Sequence, residues 1–511
     1  MLIQDETEGR MHGRLCAFIQ LIGSFKKIVF HMIIENALVF GKIFSVEKKS
    51  HSGYTGKRFK AGLKFLAICI AIMLTTPAKA QTSSGNGWYT QGNFVPTNRI
   101  SVTVTNSLSV PLKYQPVSIK RSELPMGNIP ERWVDIVDPD LPGNKEPTAA
   151  ELKDLGGYVI GKETNGHSIH FQLDDLDKDG VWDEIFFLSD FAPGETRRFY
   201  IYFDFHERGL YPHEVHANIA NYGHHTVPLL ESEIMGWKLW YPHDLDLHGK
   251  RKPMLTAYYE YSTNRSGYYM PFEMGTDIMT VQNTFGAGGM CLFENPDDPE
   301  HPARAYYSPN KDKGPIKDTR FAFDVVCNGP LRSIIKVKTT NWNSAGGFYE
   351  LEQNYTVVAH KAWCIVDVHF NKFLPPQKKV MFGAGIRRIM DEYKSVNKGG
   401  MVISMGKNIP ARIPDEDIGD SVLVVPWEGI GLVVKDEFKP QYVAIKNYGG
   451  NHLFQIPETK DLSYQYMAVD GWSFGEVNNN EKDFTKYVEM EGLKYNNPPV
   501  VKVFQYEKKG K

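Results

Sequence analysis

Along most of the chain, short runs rich in Val, Ile, Tyr, Phe and Thr alternate with clusters of Gly, Pro, Asn and Asp, and few segments carry a helical period. Alternation with period two predicts antiparallel β-structure, because successive side chains of a strand point to opposite faces. In the run 100–105, Ile100, Val102 and Val104 fall on one face; in 167–173, Ile169, Phe171 and Leu173 point inward; and 198–205 follows a turn at Pro193 and Gly194. These strands predict a first β-sandwich module over 97–205.

Beyond residue 206 the connection 206–228 leads into longer strands. Residues 331–342 and 348–358 read as two strands joined by 343–347, with 363–370 returning. In the last of these Val366, Val368 and Phe370 face one way while Ile365, Asp367 and His369 face the other, which suits a large sheet lying over a second one. The expectation is an all-β chain: a sandwich module followed by a larger many-stranded sandwich over 221–508, with no helix longer than three turns.

Composition narrows the function. The 511 residues include 58 Lys+Arg against 60 Asp+Glu, so there is no global positive field to collect nucleic acid or anionic lipid. With 42% hydrophobic residues the chain can bury large cores, which excludes wholesale disorder. Residues 57–80 have a basic start (Lys57, Arg58, Lys60, Lys64), a short apolar run over 65–74 and Ala78-Lys79-Ala80, the layout of a secretory signal peptide. Export to the periplasm or outside is therefore expected, with 81–87 as a flexible leader. The extension 1–56 reads as a start codon placed too far upstream, the other reading being an N-terminal membrane segment. Of five cysteines, Cys16 and Cys69 precede the cleavage point; Cys291, Cys327 and Cys364 form no disulfide framework, leaving one bridge open.

The ordered motifs Asp175-Leu-Asp-Lys-Asp-Gly-Val-Trp-Asp-Glu184, Phe191-Ala-Pro-Gly-Glu-Thr196, Glu231-Ser-Glu233 with Gly236, Trp237 and Tyr241, Asp246 with Gly249 and Lys250, Gly275 with Asp277, and Gly286-Ala-Gly-Gly289 add a resemblance. Over most of 97–505 the chain resembles a large family of exported proteins of unknown function encoded among polysaccharide-utilisation genes. That resemblance implies a galactose-mutarotase-like supersandwich and, for at least one activity in the family, dehydration of uronate-ended ulvan oligosaccharides. Fold alone fixes no function.

Three groups of residues carry candidate chemistry. Asp175, Asp177, Asp179 and Asp183 around Gly180 alternate as the ligands of a hard cation do, which suggests a structural Ca²⁺, although Phe186 stands where an EF-hand places its bidentate Glu. The other reading is a solvated turn whose carboxylates bond their own backbone. No organic cofactor is indicated. Secondly, seven of the 16 histidines (His206, His213, His216, His224, His225, His243, His248) fall between 206 and 248, where even spacing gives roughly one. Most isolated histidines are surface residues or satisfied hydrogen-bond partners, and a zinc site lacks its motif. Around them, Trp237, Trp240, Lys250 and Arg251 suit an acidic sugar: aromatic faces stack on pyranose rings and cations pair with carboxylate.

The chemistry best matched is β-elimination from a uronate. The adjacent carboxylate must be neutralised, the C5 proton removed by a base, and the departing C4 oxygen protonated. His225 or His243 as base, Tyr241 as acid, Lys250 with Arg251 as carboxylate clamp, and Trp237 and Trp240 as sugar platforms are the expected roles; equally, Trp237, Trp240 and Tyr241 can be core. Thirdly, the carboxylate pairs Glu231/Glu233 and Asp244/Asp246 keep a glycoside hydrolase open, though neighbours at i, i+2 share a strand face rather than opposing one another across a bond. A glycan-binding protein without chemistry is the remaining alternative. Gly286-Ala-Gly-Gly289 lacks the lysine of a phosphate loop and reads as a turn or a close backbone approach.

Overall fold

The computed structural model describes residues 88, 96–125, 133–141, 168–204, 211–221, 226–241, 243–257, 274–305, 319–344, 346–409, 412–413, 421–422 and 424–510. The extension 1–56, the export segment 57–80, and His206, His224 and His225 lie outside them, as do the side chain of Tyr241 and the leader 81–87.

The chain is all-β with one α-helix among the described residues. In the strand Asn98–Thr105 the alternation holds: Ile100, Val102 and Val104 are fully buried. This strand lies between Thr196–Tyr202 and Val500–Lys508 in a four-stranded sheet. Leu112–Lys120, Glu184–Phe191 and Phe171–Asp174 form a three-stranded sheet that shares a core with it through Val117, Ile185, Phe187 and Phe199. Val500–Lys508, inside the 221–508 stretch expected for the larger module, thus completes a sheet of the first.

The larger part is built on eight antiparallel strands. From one edge they are Arg320–Asn328, Arg332–Asn343, Phe348–Val358, Trp363–Leu374, Ser463–Trp472, Val425–Val434, Met401–Asn408 and Asp391–Lys398. Val366, Val368 and Phe370 point into the core, and Ile365, Asp367 and His369 to the outer face. A five-stranded sheet (Gly275–Asp277, Asp244–Lys250, Met235–Tyr241, Thr226–Ser232, Val215–Asn221) joins the same core through Trp237, Leu239, Leu245 and Leu247. A four-stranded sheet runs Gly289–Phe293, Met381–Arg387, Asn451–Ile456, Gln441–Ile445. Gly286 enters it with φ +58, and a Cβ there would stand 2.3 Å from the Leu245 carbonyl oxygen, so the glycine run makes a turn against backbone.

The expectation of no helix beyond three turns is corrected. Glu481–Asn496 is a 16-residue helix, more than four turns at roughly 3.6 residues each. Its buried stripe consists of Phe484, Val488, Glu491, Gly492 and Lys494, so only two large apolar residues mark it and the usual amphipathic signature is missing. Asn480 caps its start, accepting from the Asp483 amide at 3.0 Å. Cys291, Cys327 and Cys364 are all free thiols. No helix among the described residues is long and apolar enough to cross a membrane.

Candidate functional site

The five-stranded sheet has two different faces. Trp237, Leu239, Leu245 and Leu247 serve the core, and by alternation Lys238, Asp246 and His248 occupy the opposite face. Register brings them together: Asp246 lies opposite Lys238, and His248 opposite Asp277 of the next strand. Lys238 Nζ is 2.7 Å from Asp277 Oδ2 and 3.0 Å from Asp246 Oδ2, and His248 Nε2 is 3.8 Å from Asp277 Oδ2. All four residues are buried.

Neighbouring sheets extend this cluster. Asn408 donates to Glu428 Oε2 at 2.6 Å and to the Ile278 carbonyl at 3.0 Å, and Arg387 feels the carboxylates of Glu428 and Asp246. Burial pushes the Asp246 carboxyl up, the like charge of Asp277 adds to it, and Lys238 and His248 hold it at about 6. Glu428 rises further, to about 8, through burial together with Asp246 and Asp277, against the opposing pull of Asn408 and Arg387. Two carboxyls whose environments differ in this way can divide the work of acid and base near neutral pH. Charged groups packed out of water also interact strongly, which is the electrostatic condition of many catalytic sites.

The sequence-expected residues distribute around this cluster unevenly. Trp240 is half-buried on the Lys238 face, with its ring centroid 5.2 Å from Lys238 Nζ. Trp237 faces the other way, fully buried, and donates from Nε1 to Asp470 Oδ2 at 2.6 Å. Lys250 is buried and bonds Glu231, the Ser232 carbonyl at 2.6 Å and the Met254 carbonyl at 2.8 Å, so its three donors are taken up inside the protein. Although burial raises the Glu231 carboxyl, Lys250 and the bonds from His216 and Thr256 bring it down to about 2. Arg251 lies over the Phe474 ring at 4.7 Å. His243 sits elsewhere, 3.3 Å from Thr339 Oγ1 and edge-on to Phe321, with burial holding its imidazole down to about 3.

Sequence reasoning gave Asp246 and Asp277 as motif residues of the resemblance, and Asp246 also as half of an i, i+2 pair, but assigned no role to Asp277, Lys238, Arg387 or Glu428. Alternation shows that Lys238, Asp246 and His248 share strand faces, but the pairing of separate strands depends on register, which carries no local signal. A second hydrogen-bonded chain was also missed. Tyr442 Oη lies 2.7 Å from His452 Nδ1, and His452 Nε2 lies 2.7 Å from Glu392 Oε2. Arg388 donates to Glu392 Oε1 at 2.9 Å, so the adjacent arginines 387 and 388 serve the two groups separately.

The acidic turn belongs to the first module. Asp175, Asp177 and Asp183 bring carboxylate oxygens within 4.8 Å of one another, and Asp175 Oδ1 is buried with no hydrogen-bond partner among the described residues. The chain bends at Gly180, whose φ is +91. Asp179 stands apart from the triad and accepts from the Val181 amide at 2.7 Å. Asp175 Oδ2, Asp177 Oδ1 and Asp183 Oδ2 accept from amides of the same turn at 2.9, 3.1 and 2.7 Å, as a turn that bonds its own backbone would; the unbonded Asp175 Oδ1 is the atom that keeps a hard cation of the Ca²⁺ type open.

Two solved structures from Enterococcus faecalis are distant structural matches. An alpha-mannosidase matches with TM-score 0.42 and 11% identity over 87% of this chain and 49% of its own. A protein in the glycosyl hydrolase family 38 matches with TM-score 0.41 and 10% identity over 87% and 51%. The chain therefore spans about half the length of either. No curated protein matches the sequence. Residues 104–501, which contain both the charge cluster and the acidic turn, match the family described as a domain of unknown function, DUF4861, and the chain belongs to it.

Proposed function

We propose that this chain performs β-elimination at the uronate end of acidic oligosaccharides, as a dehydratase or lyase that leaves an unsaturated uronate. The observation that carries the reading is the buried face on which Lys238 lies between Asp246 and Asp277, with Glu428 and Arg387 beside them. In this reading Lys238 and Arg387 neutralise the substrate carboxylate and the enediolate that develops from it. Asp246, ionised at neutral pH, takes the C5 proton, and Glu428, still protonated, gives its proton to the leaving C4 oxygen. Trp240 supplies an aromatic face for the ring. His248 positions Asp277. The cluster is closed to solvent in this conformation, so the substrate enters by opening it, and closure then strengthens each charge interaction.

His225 and Tyr241 stay in the proposal as a further base and acid, the role of carboxylate clamp passing from Lys250 and Arg251 to Lys238 and Arg387. Export to the periplasm or outside suits a polymer-derived substrate. No organic cofactor is required. Asp175, Asp177 and Asp183 would hold a Ca²⁺ that pins the turn of the first module without entering the reaction.

Incubation with uronate-ended oligosaccharides tests this reading. Elimination produces a conjugated double bond that absorbs in the ultraviolet, and Lys238→Met, Asp246→Asn and Tyr241→Phe should each lower that signal by at least tenfold. New reducing ends without absorbance would instead establish a glycoside hydrolase, which the paired carboxyls also favour. Binding without either product would leave a glycan-binding protein. For the cation, Ca²⁺ should raise the unfolding temperature of the wild type and leave an Asp175→Asn/Asp183→Asn variant unchanged; equal shifts in both would refute the site.

A further inference from the structure

A cavity of about 460 Å³ opens on the outer face of the eight-stranded sheet, the side away from the five-stranded sheet. Three elements wall it: the sheet itself through Ile365, Asp367, Gln465 and Met467, the first module through Pro116 and Val117, and the C-terminal end of the helix through Tyr495. Alternation separates it from the charge cluster. Val366 and Tyr466, directly opposite one another in the register, point to the core, so their neighbours Asp367 and Gln465 point outward into this cavity. Its volume lies within the ~300–1,000 Å³ of small-molecule sites, and such sites favour module interfaces.

The lining has the chemistry of a sugar site. Pro116, Ile365 and Pro498 offer aliphatic surface to the C–H faces of a ring, with Val117 and Met467 buried behind them, and Asp367, Gln465 and Lys435 offer polar groups to its edges. Gln465 donates to Asp367 Oδ1, which orients both groups. The cations differ in availability. Arg332 is tied to Asp174, and Lys494 bonds Glu491 at 2.7 Å, whereas the ion pair of Lys435 is a long 3.7 Å contact with the exposed Glu437. Tyr495 keeps its hydroxyl buried without a hydrogen-bond partner among the described residues, and Lys435 Nζ stands 5.2 Å from its ring centroid. A buried hydroxyl left unpaired is costly, so a group retained in that state invites an external partner.

We infer that this cavity is a second saccharide site, separate from the charge cluster, which holds one hexuronate unit with its carboxylate on Lys435 and its hydroxyls on Asp367, Gln465 and Tyr495. It anchors a distal part of the acidic chain and takes no part in bond breaking. The choice of an acidic sugar rests on Lys435 and stands whether or not the elimination reading holds.

Calorimetric titration of the full chain with methyl glucuronide, and with methyl glucoside as the neutral match, tests it. The glucuronide should bind saturably and at least tenfold more tightly than the glucoside. Lys435→Met and Asp367→Asn should each weaken it at least tenfold. Tyr495→Phe should weaken it too while leaving the unfolding temperature unchanged or higher, a combination that a merely structural tyrosine would not give. Lys238→Met in the charge cluster should leave this binding in place. Equal affinity for both sugars, or undiminished binding in the three cavity variants, overturns the inference. An absence of elimination in the wild type, with binding still lost only in the cavity variants, would defeat the catalytic reading alone.

Discussion

At the residue scale, the chain's charged groups do two jobs that look alike in sequence. Lys250 sits in a run of cations that reads as a clamp for an acidic ligand, but the fold turns it inward onto Glu231. Nothing local distinguishes it from Lys238, since strand register decides which of them meets one carboxylate and which meets two. The difference is measurable. Glu231→Gln leaves the Lys250 ammonium buried and unpaired, and should cost about 3–5 kcal/mol in urea unfolding at neutral pH. Because Glu231 titrates below its ordinary 4.5, at about 2, its contribution is present above pH 4.5 and disappears as the pH falls through 2. Wild type and variant should therefore converge as the pH falls from 4.5 toward 2, and a gap that stays undiminished over that interval would refute the pairing. Glu428 has the opposite sign. Raised from 4.5 to about 8, it contributes stability that is present below pH 4.5 and lost as the pH climbs through 8. Glu428→Gln, which cannot ionise, should flatten the decline in urea midpoint between pH 5 and 8 and exceed the wild type at the upper end. An unchanged slope would place the ionisation elsewhere.

At the element scale, strands were legible wherever one face is apolar. Asn98–Thr105 and Trp363–Leu374 show clean alternation, and both follow the faces expected of them. The helix was not, because its contact with the sheet is partly electrostatic. Glu491 accepts from Trp363 Nε1 at 3.0 Å and from Lys361 Nζ at 3.2 Å, so a buried carboxylate occupies a position where a hydrophobic period would show leucine. The capping residue was the available signal. Asn480 should be worth about 1 kcal/mol to the helix, and Asn480→Ala should lower the unfolding free energy by that amount. A loss indistinguishable from zero would mean the helix is held by packing alone. His360, in the turn between the third and fourth strands of the large sheet, gives a second check. Burial opposes its protonation, but Glu214 and Glu233, each 2.9 Å from a ring nitrogen, raise it from 6.5 to about 9. The stability this supplies is full below pH 6.5 and lost by pH 9, so the destabilisation by His360→Gln should fade across that interval.

At the scale of the whole molecule, the chain returns at its end to the sheet with which its first described strand began. Val500–Lys508 pairs with Asn98–Thr105, and Arg99 Nε meets Glu507 Oε2 at 2.8 Å across that seam. Sequence order hid this closure, because a strand contributes to whichever sheet its edge reaches and alternation does not name the partner. The expected connection 206–228 is shorter than that, since Val215–Asn221 and Thr226–Ser232 already belong to the five-stranded sheet. The two modules are joined between Thr196–Tyr202 and Val215–Asn221 and again through the helix and final strand, and the second join lines the cavity through Tyr495 and Val501. Truncation after Asn497 removes that strand and exposes one edge of Asn98–Thr105. The eight-stranded sheet keeps all its own ladders, so its amides should retain slow hydrogen exchange. Amides of Asn98–Thr105 that donate toward Val500–Lys508 should lose protection by at least tenfold, whereas those bonded to Thr196–Tyr202 should lose less. Glucuronide binding in the cavity should fall along with them, and elimination at the charge cluster should continue. Loss of protection throughout the large sheet would instead show that the final strand supports the entire fold.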